Sequence, residues 1–313
     1  MKQFTSIALT VFIIVLSIQS SSAAKSEKYS KLWKEYQTLE NKGFNKDALN
    51  LAQSIYDQSV KENRVDQKFK SLIHIYKNRT VIDENSVENI ISNLKKSINK
   101  AEAADEKALL NILLGHAYFT YYSYHQYNII NRTYSQELSE DFTFWDARQF
   151  KNQIHLLYQS VLSDSSHLKK YPLDEYSDIL ISNNKDIYQV PFESLLDVLY
   201  YEAIKYYSSD VIQLTEASDQ FEINQAAFFS SAEEFSNFKL DTKEGSTLLT
   251  SIQLLQDWTR LHLHQENKLF PAFINYYRLN FVYNQYVGEQ KDQLYAQSLE
   301  RAFQHYKHPS SKA

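Results

Sequence analysis

In FTFWDARQFKNQIHLLYQSVL, residues 142–162, the residues Ala147, Phe150, Ile154, Leu157, Tyr158 and Val161 recur at steps of three and four. That period lines them up on one stripe and predicts a helix with one buried face. The same pattern returns along the chain. A first helix is expected from about Ser26 to Asn41, with Tyr29, Leu32, Trp33, Tyr36 and Leu39 on one side. The NKGF sequence breaks it, and a second helix follows with Ala48, Leu51, Ala52, Ile55 and Tyr56. Bulky residues on the first helix and the small Ala48 on the second suit a helix–turn–helix repeat unit. Further helices are expected at 64–78, 86–103 and 105–127, the last apolar over more than half its circumference and therefore central. Beyond the 142–162 segment come a short helix after Pro172, another in PFESLLDVLYYEAIKYYSS, and three at 246–264, 271–286 and 291–307.

The 142–162 helix has a composed opening. Thr143 is placed to cap the first amides while Asp146, three residues on, reaches back, a capping box with Asp in place of Glu. Trp145 between them is expected to dock on a neighbouring helix. Residues 210–245 are the least regular, with QAAFFSSAEEFSNFKL readable as helix or extended chain, and a domain joint is expected there. The expected layout is a leader at 1–24, a helical-repeat region at 25–209, the joint at 210–245 and further helical repeats at 246–313. The last of these, LYAQSLERAFQHYKHPSSKA, reads as the first helix of a pair, with Leu294, Tyr295, Leu299, Ala302, Phe303 and Tyr306 as its apolar face and no second helix after it.

Composition sharpens the fold class. Four Gly and four Pro in 313 residues are far too few for the tight turns of a β-sandwich or barrel. The chain is expected to be all-α, an irregular, tetratricopeptide-like helical repeat or α/α superhelix. The start, MKQFTSIALTVFIIVLSIQSSSAA, has an early Lys2, an apolar run too short for a comfortable span, and small residues before a cleavage point at Ala23 or Ala24. It reads as a secretory signal peptide, an uncleaved N-terminal anchor being the alternative. The chain has no cysteine, which removes disulfides, thiol catalysis, cysteine metal sites and a lipoprotein anchor. Export without disulfides points to a bacterial envelope, periplasmic or extracellular. The net charge of −5, with both signs dispersed, gives no footprint for nucleic acid. Asn78-Arg79-Thr80 and Asn131-Arg132-Thr133 match the glycosylation sequon and are chance matches in a bacterium.

Candidate chemistry is sparse. His262 and His264, two apart on an expected helix, point away from one another. His262 and Glu266, four apart, make half a zinc site with no further ligand. The 24 tyrosines invite a sugar-stacking reading, but YFTYYSY and YYEAIKYY place Tyr around the whole helix, the pattern of amphipathic packing. There is no Gly-rich phosphate loop, GxSxG or HExxH. The VGEQ at 287–290 is similar to the Cys-Gly-Glu-Gln of thioester proteins, but Val stands where the thiol is needed. Its Gly is expected as a helix stop. No catalytic residue, metal ligand or cofactor is assigned, and the residues read as a non-enzymatic helical scaffold.

TFWDARQFKNQIHLLYQSVL resembles the Thr-x-Trp-Asp-Ala-x-x-Phe stretch near the N-terminus of large bacterial α2-macroglobulin-like proteins, through Thr143, Trp145, Asp146, Ala147 and Phe150. YSKLWKEYQTLENKGFNKDALNLAQSIYDQSVKEN, PFESLLDVLYYEAIKYYSS and FFSSAEEFSNFKL fit the same region in the same order, so the resemblance spans about residues 28–308. It implies a helical N-terminal extension of an endopeptidase inhibitor whose macroglobulin sandwiches, bait segment and thioester domain lie outside this chain. The partners implied are the remainder of such a protein, proteases or envelope proteins, and no functional residue carries over. Two alternatives belong to other classes: a free-standing periplasmic helical-repeat adaptor, and a glycan-binding helical protein of the outer membrane presenting a surface aromatic platform.

Overall fold

The computed structural model describes residues 23–83, 86–163, 168–171, 192–209, 221–240 and 246–307. The signal-peptide segment and the helix expected after Pro172 lie outside them. Among the described residues there are eleven α-helices and no strand. The expected all-α helical-repeat fold is therefore what the chain adopts. No helix among the described residues is long and apolar enough to cross a membrane.

Two compact units divide the chain, residues 1–190 and 191–313. The first carries α1 (Ala23–Asn41), α2 (Asn45–Lys61), α3 (Val65–Ile82), α4 (Ser86–Ile98), α5 (Ala104–Ile130) and α6 (Ala147–Leu162). Each helix packs on the next one in sequence. The first two turns use one device. Gly43 takes φ +74° and lets the Phe44 amide reach back to the Leu39 carbonyl at 3.0 Å. Asn63, at φ +52°, does the same for Arg64 and the Ser59 carbonyl at 2.9 Å. A left-handed residue just past the last turn pairs the final carbonyls and reverses the chain, a position that Gly and Asn tolerate best. The small Ala48 and Ala52 are fully buried on α2, where they let α3 come close. The quoted helix starts at Ala147 rather than at the expected 142, because a single 3-10 turn, Phe142–Phe144, precedes it.

The second unit carries α7 (Leu195–Tyr207), α8 (Ala232–Asn237), α9 (Thr247–His262), α10 (Leu269–Gln285) and α11 (Lys291–Tyr306). Pro271 stands in the first turn of α10, where a missing amide costs no helical hydrogen bond. The core centres on the fully buried Trp258, surrounded by the rings of Phe192, Tyr200, Phe270, Phe273 and Tyr277.

Residues 221–240, from the irregular segment, form part of this unit: a 3-10 turn at Ala226–Phe229, then α8. Distant arginines satisfy the turn's carbonyls. The buried Arg278 donates to the Phe228 carbonyl at 3.2 Å and the Ser230 carbonyl at 2.6 Å, with Asn275 on its Nε and the Phe235 ring beneath it. Arg301 and Ser298 both donate to the Phe229 carbonyl at 2.7 Å. Burial lowers the Arg278 pKa, yet a guanidinium stays charged at neutral pH, and carbonyl dipoles replace the water it has lost. Gly288 of VGEQ has a packing reason: a Cβ there would fall 2.8 Å from the Asn224 carbonyl oxygen and 2.4 Å from the Tyr286 hydroxyl.

Candidate functional site

Two buried constellations hold the residues that the sequence singles out. The first surrounds Trp145. Asp141 caps the 3-10 turn by accepting from the Thr143 amide at 2.9 Å and the Thr143 hydroxyl at 2.8 Å. Thr143 is thus a donor to Asp141, not the cap of the long helix, which corrects the expected Thr143–Asp146 box. Asp146 is the N-cap: its Oδ1 accepts from the Arg148 and Gln149 amides at 2.8 and 2.9 Å. Gln149 closes the box by accepting from the Asp146 amide at 3.0 Å. With its other oxygen Asp146 receives the Ser135 amide, so one carboxylate ties the preceding loop to the helix.

Trp145 is 3% exposed and docks, as its place in the sequence predicts. Its indole N–H donates to the Ser139 carbonyl at 2.7 Å, and its ring meets Tyr118, Phe142 and Phe150 at centroid separations of 5.0–6.2 Å. The Lys95 ammonium lies 5.7 Å from the same ring. Ala147 and Phe150 complete the buried side. Of the five signature residues, Trp145, Asp146, Ala147 and Phe150 start α6 and seat it on α5, while Thr143 belongs to the 3-10 turn before it. None presents a free nucleophile, and Trp145 and Phe150 have no face left for a ligand.

The second constellation is centred on Asp197, which is fully buried on α7. Its Oδ2 accepts from the Ser194 amide and hydroxyl at 2.8 and 2.7 Å, and its Oδ1 from the Trp258 indole N–H at 3.0 Å. The buried His262 brings Nε2 to 2.8 Å from the same Oδ1 and Nδ1 to 3.8 Å from Glu193 Oε2. Neither ring nitrogen is aligned for a hydrogen bond, so the contact with Asp197 is close approach rather than a directed bond. Ser, Asp and His all meet here, but in the wrong order for acyl transfer. The carboxylate stands between Ser194 and His262, so the imidazole cannot take the Ser194 proton.

The pair His262 and Glu266, weighed as half a zinc site, is not brought together. α9 ends at His262, so Glu266 is past the helix and exposed, and the four-residue spacing no longer places the two on one face. The two nitrogens of His262 face different carboxylates on opposite sides of the ring. Among the described residues no group of three or more His, Asp or Glu is placed to hold a metal ion.

The tyrosine runs divide as amphipathic packing requires. Tyr118, Tyr121 and Tyr122 are buried on α5, and Tyr200, Tyr206 and Tyr207 on α7. Tyr124 and Tyr127, at 55% and 80%, are exposed near the end of α5. The sequence missed the node at Asp197, whose partners Trp258 and His262 come from more than sixty residues away. The only local signal was the Ser-x-x-Asp of a helix start at Ser194. No family model, curated protein or solved structure matches the chain.

Proposed function

We propose that the chain is a non-catalytic helical scaffold, the interaction region of an exported α2-macroglobulin-like endopeptidase inhibitor, acting by presenting helix faces to protein partners. The ordered resemblance of four stretches motivates the family. The observation that supports a scaffold role is α11. Of its stripe, Leu294, Tyr295, Leu299, Ala302 and Tyr306 are only half-buried, and Phe303 is 64% exposed. A half-covered apolar stripe with an exposed aromatic on it is what a docking helix offers to another protein. Placement in the bacterial envelope is part of the same reading and rests on the N-terminal apolar segment.

Lysine cross-linking in source cells tests it, because Lys291 and Lys307 bracket the stripe. Cross-links from these lysines to macroglobulin-type sandwich sequence, in the same polypeptide or another, are the expected result. Cross-links only to unrelated envelope proteins would favour the free-standing adaptor, and no protein cross-links at all would refute the scaffold reading.

A further inference from the structure

The first unit holds a polar node that the scaffold reading leaves unused, between α1 and α3. The Tyr36 hydroxyl, almost wholly buried, donates to Glu40 Oε1 at 2.8 Å and accepts from Asn78 Nδ2 at 2.6 Å. His74 Nδ1 lies 3.1 Å from the same oxygen. A carboxylate only accepts, so the single phenolic proton goes to Glu40 and His74 must donate from Nδ1. The ring is then neutral, with its free lone pair on Nε2. It packs against the Trp33 and Tyr36 rings at centroid separations of 4.9 and 4.6 Å.

Three charged groups act on the ring. Lys70 and Lys77 flank it from its own helix, Lys70 lying over the Trp33 ring at 4.6 Å and Lys77 pairing with Glu40 at 2.8 Å. From α1 only Glu40 opposes them. Among the described residues, Glu40, Lys70 and Lys77 are the charged groups that act on the ring.

We propose that this node is an acid-sensitive latch, in which protonation of His74 releases α1 from α3. A proton on Nε2 would put a positive charge on a ring enclosed by Trp33 and Tyr36, where Lys70 and Lys77 work against the attraction of Glu40. Detaching α1 exposes the ring to water and removes the conflict. Burial, the largest influence, holds the His74 pKa down to about 4 against an ordinary 6.5; Glu40 pulls it back up, and Lys70 and Lys77 oppose that pull.

A folded-state pKa below the open-state value means the open state binds the proton first. Docking of α1 is therefore complete above about pH 6.5 and weakens as pH falls toward 4. Glu40 does not compete in most of that window, since Lys77 and Tyr36 keep its pKa below the usual carboxylate value even against burial. The two His74 values give about a thirtyfold shift toward the open state at pH 5. His74 is half-buried rather than sealed, which weakens the penalty and makes about tenfold the expected effect.

Amide exchange on the whole chain at pH 7.5 and 5.0, corrected for the intrinsic rate, reads this directly. Residues 29–41 should lose about tenfold in protection relative to α6. His74→Asn, whose amide keeps the donor to Tyr36 but cannot titrate, should abolish the loss. Equal protection of 29–41 at both pH values, or the same loss in the variant, overturns the latch. A ring titration of His74 by NMR in the unmodified chain decides independently of whether the variant folds. A midpoint at or above 6.5 sinks the proposal, and one well below it supports it.

Discussion

Helices α6 and α11 each run sixteen residues, and each carries an apolar stripe at steps of three and four. On α6 the stripe is buried, with Ala147, Phe150, Ile154, Tyr158 and Val161 against α5. On α11 Ser298 alone is buried. Their starts differ as well. Asp146 caps α6 with a full box, whereas α11 follows Gln290, which sits at φ +58° with no side-chain cap. The periodicity of a sequence states which face a helix could bury, and whether it does depends on the neighbour. Gly115 of α5 lies beneath this stripe: a Cβ there would meet the Tyr158 and Ile154 side chains of α6 at 3.5 and 3.7 Å, ordinary packing distance. The stripe of α11 is only half-covered, by ring contacts of Tyr295 with Tyr283 and Phe229, and its buried attachment is polar, through Ser298 and Arg301 to the carbonyl of Phe229.

The largest effect should come from removing the anchor of α6. Trp145→Ala deletes a ring that is 3% exposed, in contact with Tyr118, Phe142 and Phe150, together with the N–H bond to Ser139. A loss of about 3–5 kcal/mol is expected, the usual cost of truncating a large core aromatic. Denaturant melts measure it, and a change under about 0.5 kcal/mol would show that the ring is not packed in solution.

Asp146→Ala comes next. It strips two amides of their acceptor at the start of α6 and frees the Ser135 amide of the loop, so about 1–2 kcal/mol is expected. Thr143→Ala is the contrast. Its hydroxyl only donates to an exposed Asp141, so the variant should fall within about 0.5 kcal/mol of the parent. Equal losses from the two substitutions would restore Thr143 as the cap.

That contrast also shows how far the chain could be read without coordinates. The helices and their buried faces follow from local periodicity, and scarce Gly and Pro exclude the alternatives. The cap of α6 was not decidable in the same way. Thr143 precedes Asp146 by three residues, and Asp146 precedes Gln149 by three, so two overlapping box patterns compete. Only the 3-10 turn, fixed by Asp141, chooses between them. The Asp197 node and the arginines on the 226–229 carbonyls were invisible for a different reason: they join residues 50 to 72 positions apart, and no short-range pattern encodes such a meeting. The same holds for His74, which reads in sequence as one more polar residue on an amphipathic helix.

On α11 the polar attachment can be tested first. Ser298→Ala removes a buried hydroxyl that donates to Phe229, and leaves that carbonyl with Arg301. About 1 kcal/mol is expected, the ordinary worth of one buried hydrogen bond, with the loss of amide protection concentrated in residues 291–306. An unchanged exchange profile would mean that the stacked Tyr283 and Tyr295 rings, rather than Ser298, hold α11 in place.

The smallest effect on stability should come from the residue with the most to say about partners. Phe303 is 64% exposed, so Phe303→Ala removes little buried area and should change unfolding by less than about 0.5 kcal/mol. Phe150→Ala, the equivalent truncation of an apolar ring on α6, should cost several times more, because that ring is 1% exposed. The ranking reverses for association. If the α11 stripe docks on another protein, Phe303→Ala should weaken cross-links from Lys291 and Lys307 while the melt stays put. A buried aromatic at an interface centre commonly carries a large share of binding energy. Cross-links that survive the substitution would move the docking face elsewhere. A melt that shifts by more than about 1.5 kcal/mol would show that Phe303 is already buried in solution, and that α11 resembles α6 after all.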